Sequence, residues 1–413
     1  MKRRVVVTGI GIVSPVGLTR DTTWKNLLAG QSGIDRISSF DAEEFETTIA
    51  GEVKGFEATD YVSRKEARRM DRFAQLAAAA ALEAVDQAEV KINGDNSHRI
   101  SVIISSGIGG IITLSEQISV LDSKGPSRVS PFVIPMMLPD MASGQVSMLL
   151  GAKGPNFATV SACSSGSDAL GQALELVHHG VADMVVAGGS EASICPIGVA
   201  GFNACQALSK HNHEPQKASR PFDAQRDGFV LGEGGAVLVL ESIESANERS
   251  IAPIAEMVGY ASTADAHHIT QPAPDGEGAA RAMKLALDDA GLKPHEIDYI
   301  NAHGTSTLLN DKYETTAMKS VFGEDAYKIP VNSTKSMTGH LLGASGALEA
   351  AVTVLSIHNG VVHPTINLNV PDPDCDLDYT PHVPRRGRIR AALTNSFGFG
   401  GHNTSLVFRE FEP

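Results

Sequence analysis

At 413 residues, with 42% hydrophobic and 20% charged side chains, the chain carries enough apolar material for two or three domains of core or one large duplicated unit, and it is neither fibrous, disordered nor a small stapled scaffold. Lys plus Arg (34) against Asp plus Glu (48) gives a net charge of −14, a field that repels polyanions and argues against a nucleic-acid partner. Cys163, Cys195, Cys205 and Cys375 are too few and too scattered for a disulfide framework or a metal knuckle, and they fit a reducing cytoplasm.

In chain order, Val5–Val13 is interrupted by Thr8, Gly9 and Gly11 and has no cleavage site behind it, so it reads as a buried strand ending in a turn rather than a signal segment. No run reaches the roughly 18 apolar residues of a membrane span, and the chain is read as soluble and intracellular. Helical patterns at Arg72–Gln87 and Gly278–Ala290 lead into strands at Arg99–Ser105 and Ile297–Ala302. The first half continues with a strand at Asn156–Ala162, a helix at Ser164–His179 and a strand at Asp183–Ala187. The second offers Ile329–Ser333, Gly343–His358 and Val361 onward. Each half closes on a glycine hairpin, Gly232–Gly235 and Phe397–Gly401, before an apolar strand. This order predicts a duplicated α/β unit with largely parallel sheets, divided into residues 1–250 and 251–413 with no flexible linker between them.

Cys163 falls between a strand and a helix, where unpaired backbone N–H groups favour thiolate and an oxyanion. The other three cysteines lack that context and read as small buried side chains. Among 14 histidines, His303 and His340 each follow a strand, at the edge where open α/β sheets place ligands. His178/His179, His267/His268 and His211/His213 read as solvated surface, and the acids Asp372, Asp374, Asp376 and Asp378 as a structural loop rather than a calcium site. Gly9-Ile-Gly11 lacks the third glycine of a dinucleotide fingerprint, and neither a P-loop nor a G-x-S-x-G elbow is present.

Taken together, Val5–Gly11, Ser130-Pro-Phe132, the cysteine turn, Arg220-Pro-Phe-Asp223, Arg226–Val230, Asn301–Thr307, Ser333–Gly343 and Asn395–Gly401 resemble the β-ketoacyl-acyl-carrier-protein synthases, most closely their type II elongating branch. The resemblance implies a thiolase-like α/β fold in five αβαβα layers, normally a homodimer, and an acyltransferase. Its reaction is the decarboxylative Claisen condensation of an acyl chain with malonyl-acyl carrier protein in fatty acid elongation. By resemblance, Cys163 is the acyl-accepting nucleophile, His303 and His340 support decarboxylation, Lys335 organises the cluster, Glu349 is a buried structural acid, and Phe399 lends a backbone donor and a gate. His340 argues for elongation, because initiating relatives carry asparagine there.

Ile108 and Phe202 resemble the lining of the acyl slot, Thr270, Thr305 and Thr307 resemble contacts of the pantetheine arm, and Phe132 or Val133 is expected from a partner subunit. Lys65, Arg68 and Arg69 share one face if their segment is helical and would dock an acidic carrier protein. No metal or redox cofactor is expected, since decarboxylation drives the condensation. Two other readings use the same motifs: a ketosynthase of a polyketide or specialised lipid pathway, and a non-catalytic chain-length partner, although such partners tend to lose the nucleophile. A coenzyme A thiolase fits less well, since no second catalytic cysteine is nominated.

Overall fold

The computed structural model describes residues 2–413. Nine strands make one mixed sheet: β1 (Val5–Val13), β2 (Ile100–Ser105), β3 (Met184–Glu191), β4 (Gly234–Ser242), β5 (Ala255–Ala264), β6 (Tyr299–Asn301), β7 (Val331–Asn332), β8 (Ala391–Gly398) and β9 (His402–Arg409), in the order β2-β3-β4-β1-β5-β9-β8-β6-β7. The seam is short, pairing Val5–Val7 of β1 antiparallel with Ala255–Met257 of β5. From it the two halves run outward in matching order.

Six helices matter to the site: α1 (Arg72–Gln87), α2 (Met141–Leu150), α3 (Ser165–His178), α4 (Glu277–Ala290), α5 (Leu308–Phe322) and α6 (Ser345–Asn359). α1 and α2 cover the outer face of the first half, and α4, with α5 beside it, covers that of the second. α3 and α6 pack on each other and on strands from both halves, so they form the middle of five αβαβα layers. One apolar cluster surrounds the central helices on both sides, and one lies under the outer helices of each half. Small residues permit the close packing. A Cβ added at Gly9 would lie 2.1 Å from Ala84 O, and one at Gly11 1.9 Å from Ala80 O, so these glycines seat β1 on α1.

Three expectations need correction. The sheet is mixed, not largely parallel: β2–β3, β8–β6 and β6–β7 are parallel, and the other pairings are antiparallel. Asn156–Ala162 is no strand beyond one bridge from Asn156 to Val102. Side-chain hydroxyls take its backbone donors instead, with Thr159 N–H on Ser105 Oγ and Ser161 N–H on Ser165 Oγ. Gly232–Gly235 is no hairpin but the lead-in to β4, whose neighbours Val230 and Gly232 bond the backbone of His340. Phe397–Gly401 does turn a hairpin between β8 and β9.

His363 is fully buried behind the site. Its Nδ1–H donates to Pro364 O (2.9 Å), so Nε2 accepts from Thr334 Oγ1 (3.0 Å). Burial pushes its pKa from 6.5 down to about 4. The folded state therefore holds a neutral ring while the unfolded chain takes a proton, and stability present above pH 6.5 is lost as pH falls towards 4. At about 1.4 kcal/mol per pKa unit the loss is roughly 3 kcal/mol. His363→Gln is expected to flatten this part of the acid profile in urea unfolding at pH 7 and pH 4.5; parallel profiles for both proteins would remove the assignment.

Candidate active site

The sequence Ser161-Ala-Cys-Ser-Ser165 makes a tight strained turn. Ala162 has a left-handed φ of 52°, Ala162–Ser164 form a single 3-10 turn, and α3 follows at once. Ser161 Oγ bonds Asp168 on the first turns of α3, and Asp168 also accepts from Tyr260 (3.0 Å) and Thr404 (2.7 Å) of the other half. The β8–β9 hairpin closes over this turn. A Cβ on Gly398 would lie 2.7 Å from Ser161 O and 3.0 Å from Cys163 N, and the Phe399 N–H bonds the Cys163 sulfur.

The second half repeats the turn. Leu342 has φ 47°, Leu342–Ala344 form a 3-10 turn, and α6 follows. Gly343 stands where Cys163 stands in the first half. A Cβ there would lie 2.2 Å from Gly107 N, so the close approach of the halves admits no second thiol at the twin position.

His303 follows β6, and His340 follows the short helix Lys335–Thr338. Their rings are 5.3 Å apart at 83°, both nearly sealed, and both line the cleft that holds Cys163. Lys335, 1% exposed, donates from Nζ to His303 O (2.6 Å), His303 Nδ1 (3.2 Å) and Glu349 Oε1 (2.5 Å). An ammonium has no lone pair, so His303 Nδ1 is the acceptor and its proton sits on Nε2. His340 Nδ1 lies 2.9 Å from Ser345 Oγ.

Electrostatics follow from burial. Both imidazoles are held well below the usual histidine range by burial and by the Lys335 charge, and are neutral at pH 7. Burial pushes Glu349 up to about 7 against the pull of Lys335, and its Oε2 has no hydrogen-bond partner. Against the expectation that the turn favours a thiolate, burial pushes the Cys163 thiol up to about 12, outweighing Lys335 and the Phe399 N–H.

The cleft is about 530 Å³. Ile108, Phe202, Thr270, Thr305, Thr307 and Phe399 line it beside Cys163, His303 and His340, with the Thr305 and Thr307 hydroxyls 2.9 Å apart. Phe132 and Val133 do not line it; they begin a partly exposed apolar segment, where the Arg69 guanidinium lies 4.8 Å over the Phe132 ring. Lys65, Arg68 and Arg69 are exposed but do not share a helix face. The helix is only Arg64–Ala67: Ser63 and Glu66 cap its start, and after it the Arg69 and Met70 N–H groups bond Glu66 O and Ala67 O in tight turns that lead to Asp71, the cap of α1. Cys205 is also corrected: it is exposed at the cleft, whereas Cys195 and Cys375 are buried. Asp372, Asp374, Asp376 and Asp378 each meet a base, namely Arg226, Lys312, Lys319 and Arg385.

Sequence reasoning missed three residues. Glu314 on α5 accepts the backbone N–H groups of His303 and Gly304, each at 2.8 Å, and is pushed up to about 7 by burial. Glu191 at the end of β3 binds Gly107 N–H (2.8 Å) and Gly343 N–H (3.0 Å), locking together the loops under the cleft. Phe229 packs edge-on against His340 (5.2 Å) and Phe202 (5.4 Å). An acid inside an otherwise apolar strand end, as at Glu191, was the readable signal.

Profiles described as "Beta-ketoacyl synthase, N-terminal domain" and "Beta-ketoacyl synthase, C-terminal domain" match residues 2–246 and 254–369. The chain belongs to the β-ketoacyl synthase family. It is 53% identical over 411 residues to a Synechocystis protein named 3-oxoacyl-[acyl-carrier-protein] synthase 2, covering 100% of this chain and 99% of that one. A Staphylococcus aureus protein of the same name is 52% identical over 410 residues, with 99% of each chain covered. Among solved structures, a type II PKS acyl-carrier protein in complex with its ketosynthase bound to the hexaketide matches with TM-score 0.92 and 37% identity, covering 100% of both chains. As a β-ketoacyl synthase the chain is an acyl-transferring condensing enzyme. Among the described residues, no helix is long and apolar enough to cross a membrane.

Proposed function

We propose that this β-ketoacyl synthase elongates fatty acyl chains by decarboxylative condensation on acyl carrier protein. The observation that carries the reading is the Cys163 thiol and two neutral imidazoles on a single cleft, with a lysine fixing one ring. In the first half-reaction the Cys163 sulfur attacks the carrier thioester. The carbon–sulfur bond to the carrier breaks, and the proton leaving Cys163 ends on the departing pantetheine thiol. Backbone N–H groups of Cys163 and Phe399 hold the oxyanion.

In the second half-reaction malonyl carrier loses CO2. The electron pair of the broken carbon–carbon bond passes to the thioester oxygen as an enolate, which His303 and His340 stabilise by hydrogen bonding. The enolate carbon attacks the acyl-cysteine, the carbon–sulfur bond breaks, and a 3-oxoacyl chain two carbons longer leaves. Cys163 leaves as the thiolate and takes a proton from solvent, the one proton that the whole reaction consumes. No step calls on a cofactor.

Identity of 52–53% to the synthase 2 relatives, against 37% to the PKS ketosynthase, supports fatty acid elongation over a polyketide pathway. The presence of Cys163 opposes a non-catalytic chain-length partner. Acyl carrier protein as donor is supported by the carrier-bound ketosynthase neighbour. Phe132, Ile134, Leu138, Met148 and Val160 are exposed apolar side chains, which supports a homodimer in which Phe132 or Val133 completes the other subunit's acyl slot. Residues 1–250 carry the nucleophile and 251–413 the histidines, and we read these as the two structural halves. Reduced cysteines without disulfides fit a cytoplasmic setting.

One experiment tests donor and docking together. Incubation with acyl carrier protein is expected to add the acyl mass to the Cys163 peptide. Reversing the charges of Lys65, Arg68 and Arg69 is expected to slow transfer from the carrier roughly tenfold while leaving transfer from a small acyl thioester unchanged. No acyl mass on Cys163 from an active donor sinks the enzyme reading, and equal slowing from both donors sinks the docking surface.

A further inference from the structure

We propose that Ser345 is a positioning residue that holds His340 in the Nε2–H tautomer, so that the ring presents a proton donor to the enolate. The inference rests on the condensing reading above. Ser345 opens α6, is 1% exposed, and has two polar partners: the Leu341 N–H at 2.9 Å and His340 Nδ1 at 2.9 Å. A serine hydroxyl has one proton and two lone pairs. The backbone N–H occupies a lone pair, so the hydroxyl proton must go to Nδ1 or to nothing. With the opposite tautomer the Nδ1–H would take the second lone pair, and the hydroxyl proton would be buried without an acceptor, which is unfavourable.

The first half supplies an internal control. Ser165 opens α3 at the equivalent place, accepts the Ser161 N–H at 3.0 Å, and donates to Ala162 O at 2.7 Å. A carbonyl only accepts, so there the hydroxyl is the donor. The same serine in the repeated turn finds His340 Nδ1 in place of a carbonyl. Lys335 does the corresponding service for His303, whose Nδ1 likewise accepts. The two rings therefore reach the same tautomer through different donors, an ammonium on one side and a hydroxyl on the other. Among the described residues Ser345 Oγ is the one hydrogen-bond partner of the His340 ring, with the Phe229 edge and the His303 ring packed beside it.

The test separates the half-reactions. Ser345→Ala is expected to leave the rate of Cys163 acylation within about twofold of the unchanged enzyme. In a Cys163→Gln background it should lower malonyl-carrier decarboxylation by roughly 10- to 100-fold, the usual effect of losing the group that orients a functional histidine. Ser345→Thr, which keeps the hydroxyl, should restore most of that activity. Independently of any substrate, the ¹⁵N spectrum of the resting protein labelled at histidine should show His340 with a hydrogen-bonded, unprotonated Nδ1, and Ser345→Ala should shift that resonance. Equal decarboxylation with and without the hydroxyl, or a protonated Nδ1 in the unchanged protein, overturns the assignment. Absence of acylation in the unchanged enzyme would instead count against the condensing reading, leaving the ¹⁵N result to judge the tautomer.

Discussion

Cys163→Ala is expected to lower condensation on the order of 10³-fold or more, to the limit of detection, because no other thiol can take over. Cys195 and Cys375 are buried, Cys205 lies exposed on the cleft wall at the C-terminal, electronegative end of the helix Pro196–Ala204 rather than at a helix N-terminus, and the twin position is Gly343. Cys163→Gln is expected to separate the two half-reactions. Its amide takes no acyl group, while its carbonyl accepts the Phe399 N–H that the sulfur accepted, leaving His303 and His340 in place. Malonyl-carrier decarboxylation should therefore persist, read as CO2 release without chain extension. Condensation surviving in Cys163→Ala would end the nucleophile assignment. A folded Cys163→Gln that has lost decarboxylation would show that the sulfur, not the histidine pair, supports the enolate.

Lys335→Ala carries the second large effect, on stability and chemistry together. Glu349 is 1% exposed and Lys335 is its charged partner, so removing the ammonium strands a buried carboxyl. Breaking a buried pair from one side costs about 3–5 kcal/mol. The direction with pH follows from the carboxyl. Its proton affinity is already raised from 4.5 to about 7 with the lysine present, and it rises further without it. A folded carboxyl that holds its proton more tightly than the unfolded one favours folding below pH 4.5 and loses that contribution as pH rises. The deficit of Lys335→Ala should accordingly be small at pH 5 and grow through pH 8, and Glu349→Gln in the same chain should relieve much of it. Denaturant unfolding across that range checks the sign, and a pH-independent deficit would refute it. The same variant frees His303 Nδ1, so decarboxylation should fall about 100-fold even where the protein is folded.

The elements nearest the chemistry were the most legible. Arg72–Gln87 reads as a helix from its period and is one, and the turn carrying Cys163 is visible because apolar alternation gives way to helical spacing within a few residues. The long motifs around Cys163, His303, Lys335 and His340 are equally plain. Less legible were the segments whose backbone is satisfied by side chains and turns instead of by a regular ladder. Asn156–Ala162 has the composition of a strand, but hydroxyls from Ser105 and Ser165 satisfy its backbone. The Arg64–Arg69 segment has the spacing of a helix face, yet its helix stops at Ala67 and the chain turns to reach Asp71, the cap of the next helix.

From its own residues the chain determined a mixed α-helix and strand order repeated twice, a cysteine at the entry to a helix, two histidines after strands, and the family to which these belong. Local backbone preference and apolar period are properties of neighbouring residues, so a linear reading reaches them. Only the tertiary structure decided the ionisation and tautomer of the site. Desolvation in the cleft pushes the Cys163 thiol up, and His303 is a donor because Lys335 comes within 3.2 Å from another element. Proton positions depend on desolvation and on contacts between residues remote in sequence, and neither quantity exists until the two halves have closed around the central helices.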